Sequence, residues 1–224
     1  MTKVIAIDGP SGAGKGTVAR AIAHALKWTH VDTGAMYRAV AWKTRYEGKN
    51  FDNEIDVVTI AKMAAIQMDG QKILIDGHDV TSDIRTPEID LAATSVARIP
   101  GVRKVLVTRQ RQFAENNAVV MEGRDIGTVV FPDATVKIYL DASPQERARR
   151  RSEDPAHGLS QVSKLDVVAD ALARRDHLDR TRDASPLVRA PDASVIDTTD
   201  ISIDSVVKLV LKIVEDRFGD GISR

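Results

Sequence analysis

The segment Gly9-Pro10-Ser11-Gly12-Ala13-Gly14-Lys15-Gly16-Thr17 constrains this chain more than any other. It follows a short apolar run, residues 4–7, that reads as a buried strand, and it opens a helical pattern over residues 15–26. Its glycines let the backbone turn tightly and aim successive N–H groups inward. The helix N-terminus behind the turn adds partial positive charge. Lys15 adds a full charge on a stem long enough to reach the β- and γ-phosphates of a nucleotide. Strand, glycine-rich turn with lysine, and helix together predict a phosphate loop. A turn without a ligand is the bland alternative, and Lys15 in this frame weighs heavily against it. The common form of the motif puts Ser or Thr directly after the lysine. Here Gly16 intervenes and Thr17 follows, so Thr17 is a candidate to touch Mg²⁺, directly or through water.

The rest of the chain repeats the strand and helix alternation. Residues 118–121, 136–140 and 194–196 read as buried strands, and 29–31 as a weaker one. Helical patterns cover 34–46, 102–116, 144–151, 164–181 and 203–218. Such alternation predicts an α/β fold, a parallel sheet with helices on both faces. Two stretches break the rhythm. Residues 66–80 alternate around Ile73 and Ile75 between the turn signals Asp69-Gly70 and Asp76-Gly77, which predicts a small antiparallel insert. Residues 152–163 are polar, hold Pro155 and Gly158, and follow Arg147, Arg149, Arg150 and Arg151. They read as a loop, and a basic helix end before it suits either a lid over phosphates or a solvated surface.

Length and charge narrow the function. A chain of 224 residues with 43% apolar content fits one compact domain with insertions. Lysine plus arginine equals aspartate plus glutamate at 32 each, which argues against a general nucleic-acid or membrane-surface binder. Arginines nevertheless crowd between Arg147 and Arg189, as a small anionic ligand would require. The chain has no cysteine, so disulfides and thiolate metal sites are excluded. The first apolar run is too short for a signal peptide and no stretch approaches a membrane span, so a cytoplasmic location is the expectation.

Three segments bear on what receives a phosphoryl group. Asp32-Thr33-Gly34-Ala35-Met36-Tyr37-Arg38 leaves the second strand and enters a helix, at the sheet edge where ligands of open parallel sheets bind. Thr33 is also a natural helix cap. Asp32 suits either a magnesium-bound water or the helix N-terminus. Glu122-Gly123-Arg124-Asp125-Ile126-Gly127-Thr128 follows a buried strand, so its Arg–Asp pair more plausibly meets a ligand than solvent. Arg175, Asp179 and Arg182 share one helix face, a spacing that by itself also makes an ordinary solvated stripe. The guanine-reading Asn-Lys-x-Asp of nucleotide switches is absent.

In order along nearly the whole chain, these segments resemble bacterial cytidylate kinases, a family of P-loop nucleoside monophosphate kinases. The matching residues are Gly9 to Thr17, Asp32 to Arg38, Ile84-Arg85, Val102-Arg103, Arg109-Gln110-Arg111, Gly123 to Asp133 and Arg175-Asp176 through Pro186-Leu187. The resemblance implies a three-layer P-loop NTPase-type domain with a five-stranded parallel sheet. It also implies a nucleoside monophosphate-binding insert at about 63–98 and a short lid at about 151–163. ATP with Mg²⁺ as the donor, CMP or dCMP as the acceptor, and a monomer with no nucleic-acid or membrane partner follow from it. Residue by residue, Arg103 and Asp125 are similar to the family's cytosine readers, with a hydroxyl at Thr94 or its neighbour Ser95. Arg38, Arg124 and Arg182 match the clamp on the acceptor phosphate, and Arg175 and Asp179 the ribose contacts. Thr33 and Tyr37 line the same pocket, and Arg147 and Arg151 are candidates for the γ-phosphate. A P-loop kinase for another acceptor, such as UMP, is the nearest rival.

Overall fold

The computed structural model describes residues 3–70, 72–154 and 165–219. In chain order the first elements are β1 (Val4–Asp8), α1 (Lys15–Leu26), β2 (Thr29–Asp32), α2 (Thr33–Tyr46) and α3 (Glu54–Met63). A small unit follows: β3 (Ile66–Asp69), β4 (Lys72–Ile75), β5 (His78–Asp79), a 3₁₀ turn at Asp83–Arg85 and α4 (Pro87–Val96). Then come α5 (Pro100–Glu115), β6 (Val119–Gly123), a π-helical turn at Ile126–Val130 and β7 (Val136–Asp141). The chain closes with α6 (Pro144–Ser152), α7 (Leu165–Thr181), β8 (Ser194–Asp197) and α8 (Ile203–Phe218).

Five strands form one parallel sheet in the order β2-β6-β1-β7-β8. Its residues alternate between two apolar layers, as the two-residue period of a strand demands. Ile5, Ile7, Val120, Ile138 and Leu140 pack with α1 and α8 on one face. Val4, Ala6, Val119 and Met121 pack on the other with Ala114 of α5 and the π-helical turn. Burial on both faces explains why these strands read as continuous apolar runs. The weaker strand at 29–31 is β2 at the sheet edge, where exposure dilutes the pattern.

The segment at 66–80 forms an antiparallel sheet in the order β3-β4-β5. It belongs to a separate apolar cluster in which α2, α3, α4 and α5 enclose Ile73, Ile75, Val80 and Ile84. Helices α3 and α4 were not foreseen from the apolar periodicity. In α3, Ile55 and Met63 are exposed while Val57, Ile60 and Ala61 are buried, so its stripe is interrupted. It approaches α5 closely, because a Cβ on Gly101 would lie 2.6 Å from Val58. Helix α4 starts at Pro87, which is favourable at a first helical position and is capped by Thr86 Oγ1 accepting from the Ile89 amide at 3.3 Å. The expected lid falls mostly on residues outside those described, which resume at Leu165. Among the described residues no helix is long and apolar enough to cross a membrane.

Ile138 lies in central strand β7, 1% exposed in the layer against α1 and α8. Ile138→Ala is expected to lower unfolding free energy by about 2–5 kcal/mol, read from the urea midpoint at unchanged slope.

Candidate active site

The carboxyl ends of β1, β2 and β6 open into a cleft of about 900 Å³ that runs from the phosphate loop to α4 and α7. At one end the loop curls over the start of α1. Gly12 and Gly14 have φ of 80° and 86°, a region costly for any side chain bearing a Cβ. Gly9 passes so close to β7 that a Cβ there would lie 2.0 Å from the Leu140 carbonyl oxygen. Gly14 caps α1 with no side-chain bond, so the first-turn amides stay directed at the cleft. Lys15 folds back, its Nζ donating to the Pro10 carbonyl at 2.6 Å. Burial, followed by the nearby Arg124, pushes its ammonium down to about 7. A charge so confined favours an anion beside it.

The loop is braced from behind. Ser11 N donates to Asp176 Oδ1 at 3.1 Å, and Arg147 Nη1 donates to the Ser11 carbonyl at 3.0 Å and also pairs with Asp176. Arg147 Nε reaches the Ala142 carbonyl at 3.1 Å. Arg147 is therefore a buried strut under the loop and is not among the residues that line the cleft. Its spacing from Arg151 suggested one shared face, but helical spacing cannot say which face turns inward. Arg151 does line the cleft, as does Arg150, whose Nη1 donates to Thr198 Oγ1 at 2.8 Å.

Cations and carboxylates alternate across the other end. Arg38 pairs with Asp32 Oδ2 at 2.9 Å, while Asp32 Oδ1 caps α2 by accepting from the Ala35 amide at 3.0 Å. Thr33 Oγ1 donates to the Glu122 carbonyl at 2.7 Å rather than capping the helix. Arg124 Nε bonds Asp179 Oδ2 at 2.9 Å and Nη2 reaches Ser11 Oγ at 2.7 Å, linking the Gly-Arg-Asp segment to the phosphate loop. Arg103 pairs with Asp125, and its guanidinium carbon lies 5.4 Å from the centre of the Tyr37 ring. Arg182 Nη2 stands 3.6 Å from the second Asp125 oxygen, and its Nε donates to the Ser185 carbonyl at 2.7 Å. Asp90 of α4 pairs with Arg151 and, at 3.3 Å, with Arg175. Thr94, one turn further along α4, lines the cleft and donates to the Asp90 carbonyl at 3.1 Å.

The helix face of Arg175, Asp179 and Arg182 is thus turned into the cleft and not into solvent. Burial, and with it repulsion from neighbouring guanidinium groups, pushes Arg151, Arg175 and Arg182 down from their ordinary range. Arg38 Nε, Arg103 Nε and Arg175 Nε are buried donors with no hydrogen-bond partner. Crowded guanidinium groups with spare donors suit phosphate oxygens, which accept from several at once.

Glu122 carried no role in the sequence analysis although it belongs to a singled-out segment. It is the penultimate residue of β6, beside the phosphate loop, is 8% exposed, and its Oε1 lies 3.1 Å from His30 Nε2. A Cβ at position 16 would come within 3.0 Å of that oxygen, so Gly16 makes room for Glu122 where the common motif has Ser or Thr. A carboxylate within a buried strand was the available signal. Among the described residues no three acidic or histidine side chains form a metal cage. Oxygen donors that line the cleft beside the loop include the exposed Thr17 hydroxyl and the carboxylates of Glu122 and Asp32. Hard oxygen donors, too few for a full shell, fit a Mg²⁺ that keeps several waters and shares substrate phosphates.

A family model of cytidylate kinase matches residues 5–216. A cytidylate kinase of Desulforamulus reducens is 48% identical over 216 residues, covering 95% of this chain and 97% of that protein. One of Caldanaerobacter subterraneus subsp. tengcongensis is 45% identical over 214 residues, covering 96% and 95%. Among solved structures, an uncharacterized protein from Eubacterium ventriosum superposes with a TM-score of 0.55 at 10% identity, over 96% of this chain and 99% of that chain. A shikimate kinase from Bacteroides thetaiotaomicron does so with a TM-score of 0.51 at 14% identity, over 95% and 98%. At such identities the two structures speak for the fold alone. A match along almost the entire sequence, joined to a phosphate loop and a Gly-Arg-Asp segment that share one cleft, shows that this chain belongs to the cytidylate kinase family.

Proposed function

We infer that this protein transfers the γ-phosphoryl group of ATP to CMP or dCMP, releasing ADP and CDP or dCDP. The observation that carries this reading is the single cleft in which the phosphate loop faces the Arg103–Asp125 pair across Arg38, Arg124 and Arg182. Cytosine offers an amino donor beside a ring-nitrogen acceptor. Asp125 accepts from the first and Arg103 donates to the second. Uracil reverses both groups, and mispairing a buried charge costs on the order of 1–3 kcal/mol or more. Thr94 adds a hydroxyl, Tyr37 a ring wall, and Arg175 with Asp179 the contacts to ribose. The cytoplasm is its proposed setting and the monomer its working unit.

The reaction needs no covalent intermediate. It needs two anions brought together in line, so positioning and charge stabilisation supply the catalysis. Lys15 and the loop from Gly9 through Thr17, by the amides at the start of α1, hold the donor phosphates. Arg38, Arg124 and Arg182 orient the acceptor phosphate against its natural repulsion from the donor. Arg151, set between α4 and α7 by Asp90, faces the transferred group from the lid side. Thr17 and Glu122, with Asp32 ordering a water, would hold Mg²⁺, which supplies charge neutralisation at the β- and γ-phosphates. A lid, the role expected of residues 151–163, would keep water from taking the phosphoryl group.

An acceptor screen across CMP, dCMP, UMP, AMP and GMP, read by ADP release, tests the assignment. CMP and dCMP should turn over, and no ATP consumption with any pyrimidine monophosphate would end it. Lys15→Ala or Arg124→Ala is expected to lower kcat by about two to three orders of magnitude in a folded protein; steady-state kinetics with circular dichroism as the folding control checks this. Asp125→Ala should raise KM for CMP by about tenfold or more and leave ATP binding within about twofold. Equal losses for both would remove Asp125 from base recognition.

The Asp32–Arg38 pair also predicts a pH effect. Burial pushes the Asp32 carboxyl up, but Arg38, the Ala35 amide, Arg85 and His30 together outweigh it and hold it at about 2. Its ionised form therefore contributes stability above its unfolded value near 4, on the order of 2 kcal/mol, lost as pH falls from there through about 2. The stability difference between wild type and Asp32→Asn should be constant above about pH 5 and shrink below pH 4, as measured by urea denaturation at a series of pH values.

A further inference from the structure

Asp8 ends β1 directly before the phosphate loop, in register with Gly123 on one side and Tyr139 on the other. It is 5% exposed. Oδ1 accepts from the Ile126 amide and Oδ2 from the Gly127 amide, each at 2.8 Å. Those are the two amides that follow Asp125. Both carboxylate oxygens are therefore spent on the backbone of the acceptor segment.

That segment is anchored through its side chains as well: Arg124 to Asp179 and Ser11, Asp125 to Arg103 and Arg182, and Ile126 and Val130 in the apolar layer. It leaves β6 at Gly123 and coils into the π-helical turn, closed by the Val129 and Val130 amides donating to the Asp125 carbonyl at 2.9 and 3.1 Å. Such turns are rare and need outside support. Arg111 of α5 holds the far end, its Nε and Nη2 donating to the Val130 and Val129 carbonyls at 2.9 and 2.8 Å. Lys137 of β7 holds the side, pairing with Asp192 at 2.8 Å while its stem lies 3.2 Å from where a Cβ on Gly127 would sit. Of these three, Asp8 grips the leading end, next to Arg124 and Asp125. A buried carboxylate is costly unless its oxygens are bonded, so the two amides and the carboxylate hold each other. Burial still pushes the Asp8 carboxyl up to about 6 against those two bonds.

We propose that Asp8 is a positioning residue for acceptor recognition: it sets Asp125, and through Asp125 the facing groups of Arg103 and Arg182, at a fixed distance from the phosphate loop. The base is then read in register with the donor. This rests on the assignment of Asp125 as the base-contacting carboxylate. Asp8→Asn replaces one acceptor oxygen by an amide N–H₂ that faces a backbone N–H, so one of the two bonds is lost and the leading end of the turn is released.

The test measures kcat/KM for CMP and for UMP, ATP affinity and the thermal midpoint of Asp8→Asn. The expected result is a fall of about tenfold in the CMP-over-UMP ratio, carried by KM for CMP, with ATP affinity within about twofold of wild type. The double variant Asp8→Asn with Asp125→Ala should lose no more discrimination than Asp125→Ala does. A merely structural role would lower the thermal midpoint and leave the ratio untouched; a folded Asp8→Asn protein with the wild-type ratio overturns the proposal. If Asp8→Asn does not fold, Gly127→Ala brings a methyl within 3.4 Å of Asp8 Oδ2 and should lower the ratio in the same direction, an unchanged ratio again overturning it. An unchanged ratio in Asp125→Ala removes the base-reading assignment, and the Asp8 proposal with it. A collapsed ratio there beside an intact one in Asp8→Asn removes the Asp8 proposal alone.

Discussion

The cleft depends on keeping many guanidinium groups close together without letting them be neutralised outright. Arg38, Arg103 and Arg175 of α2, α5 and α7, with Arg124 just after β6 and Arg182 just after α7, all reach one space. Left unpaired, they would repel one another and the buried ones would be expelled. The structure answers with shared carboxylates: Asp125 lies between Arg103 and Arg182, Asp179 between Arg124 and Arg182, and Asp90 between Arg151 and Arg175. A shared carboxylate holds two cations in place and fully satisfies neither. The outcome is a folded protein whose cleft still carries positive charge and spare donors, though the formal charge of the whole chain is zero.

Much of this was legible in the sequence, for physical reasons that can be named. Strands buried on both faces write themselves as apolar runs, so residues 4–7, 118–121 and 136–140 stood out. The phosphate loop was legible because only glycines allow its positive φ angles and its close pass by Leu140. Arg124 and Asp125 were singled out by their place after a buried strand, and the cleft brings both together with Arg38, Arg103 and Arg182.

What stayed hidden depends on contacts across long sequence separations. Asp90 meets Arg151 and Arg175, and Asp176 meets Ser11 and Arg147; no local spacing encodes those pairs. Arg147 illustrates the point, since Glu146 and Arg150 line the cleft while Arg147 turns beneath the loop. Helix α3 was missed because a helix lying partly against solvent, with Ile55 and Met63 outward, breaks its own periodicity. Helix α4 was missed because a proline that starts a helix looks, in sequence alone, like one that ends it.

The bridge made by Asp90 has a mechanical side. Its helix, α4, belongs to the small unit around β3-β4-β5, whereas its partners are rooted in α6 and α7 on the sheet side of the cleft. At the mouth of the cleft the two banks are thus tied by shared charge, beside the apolar packing that Met68 and Phe113 provide between the two clusters. An anion entering the cleft competes with Asp90 for Arg151 and Arg175. What occupies the cleft therefore bears directly on the join across its mouth, which an apolar seam at the same place would not feel.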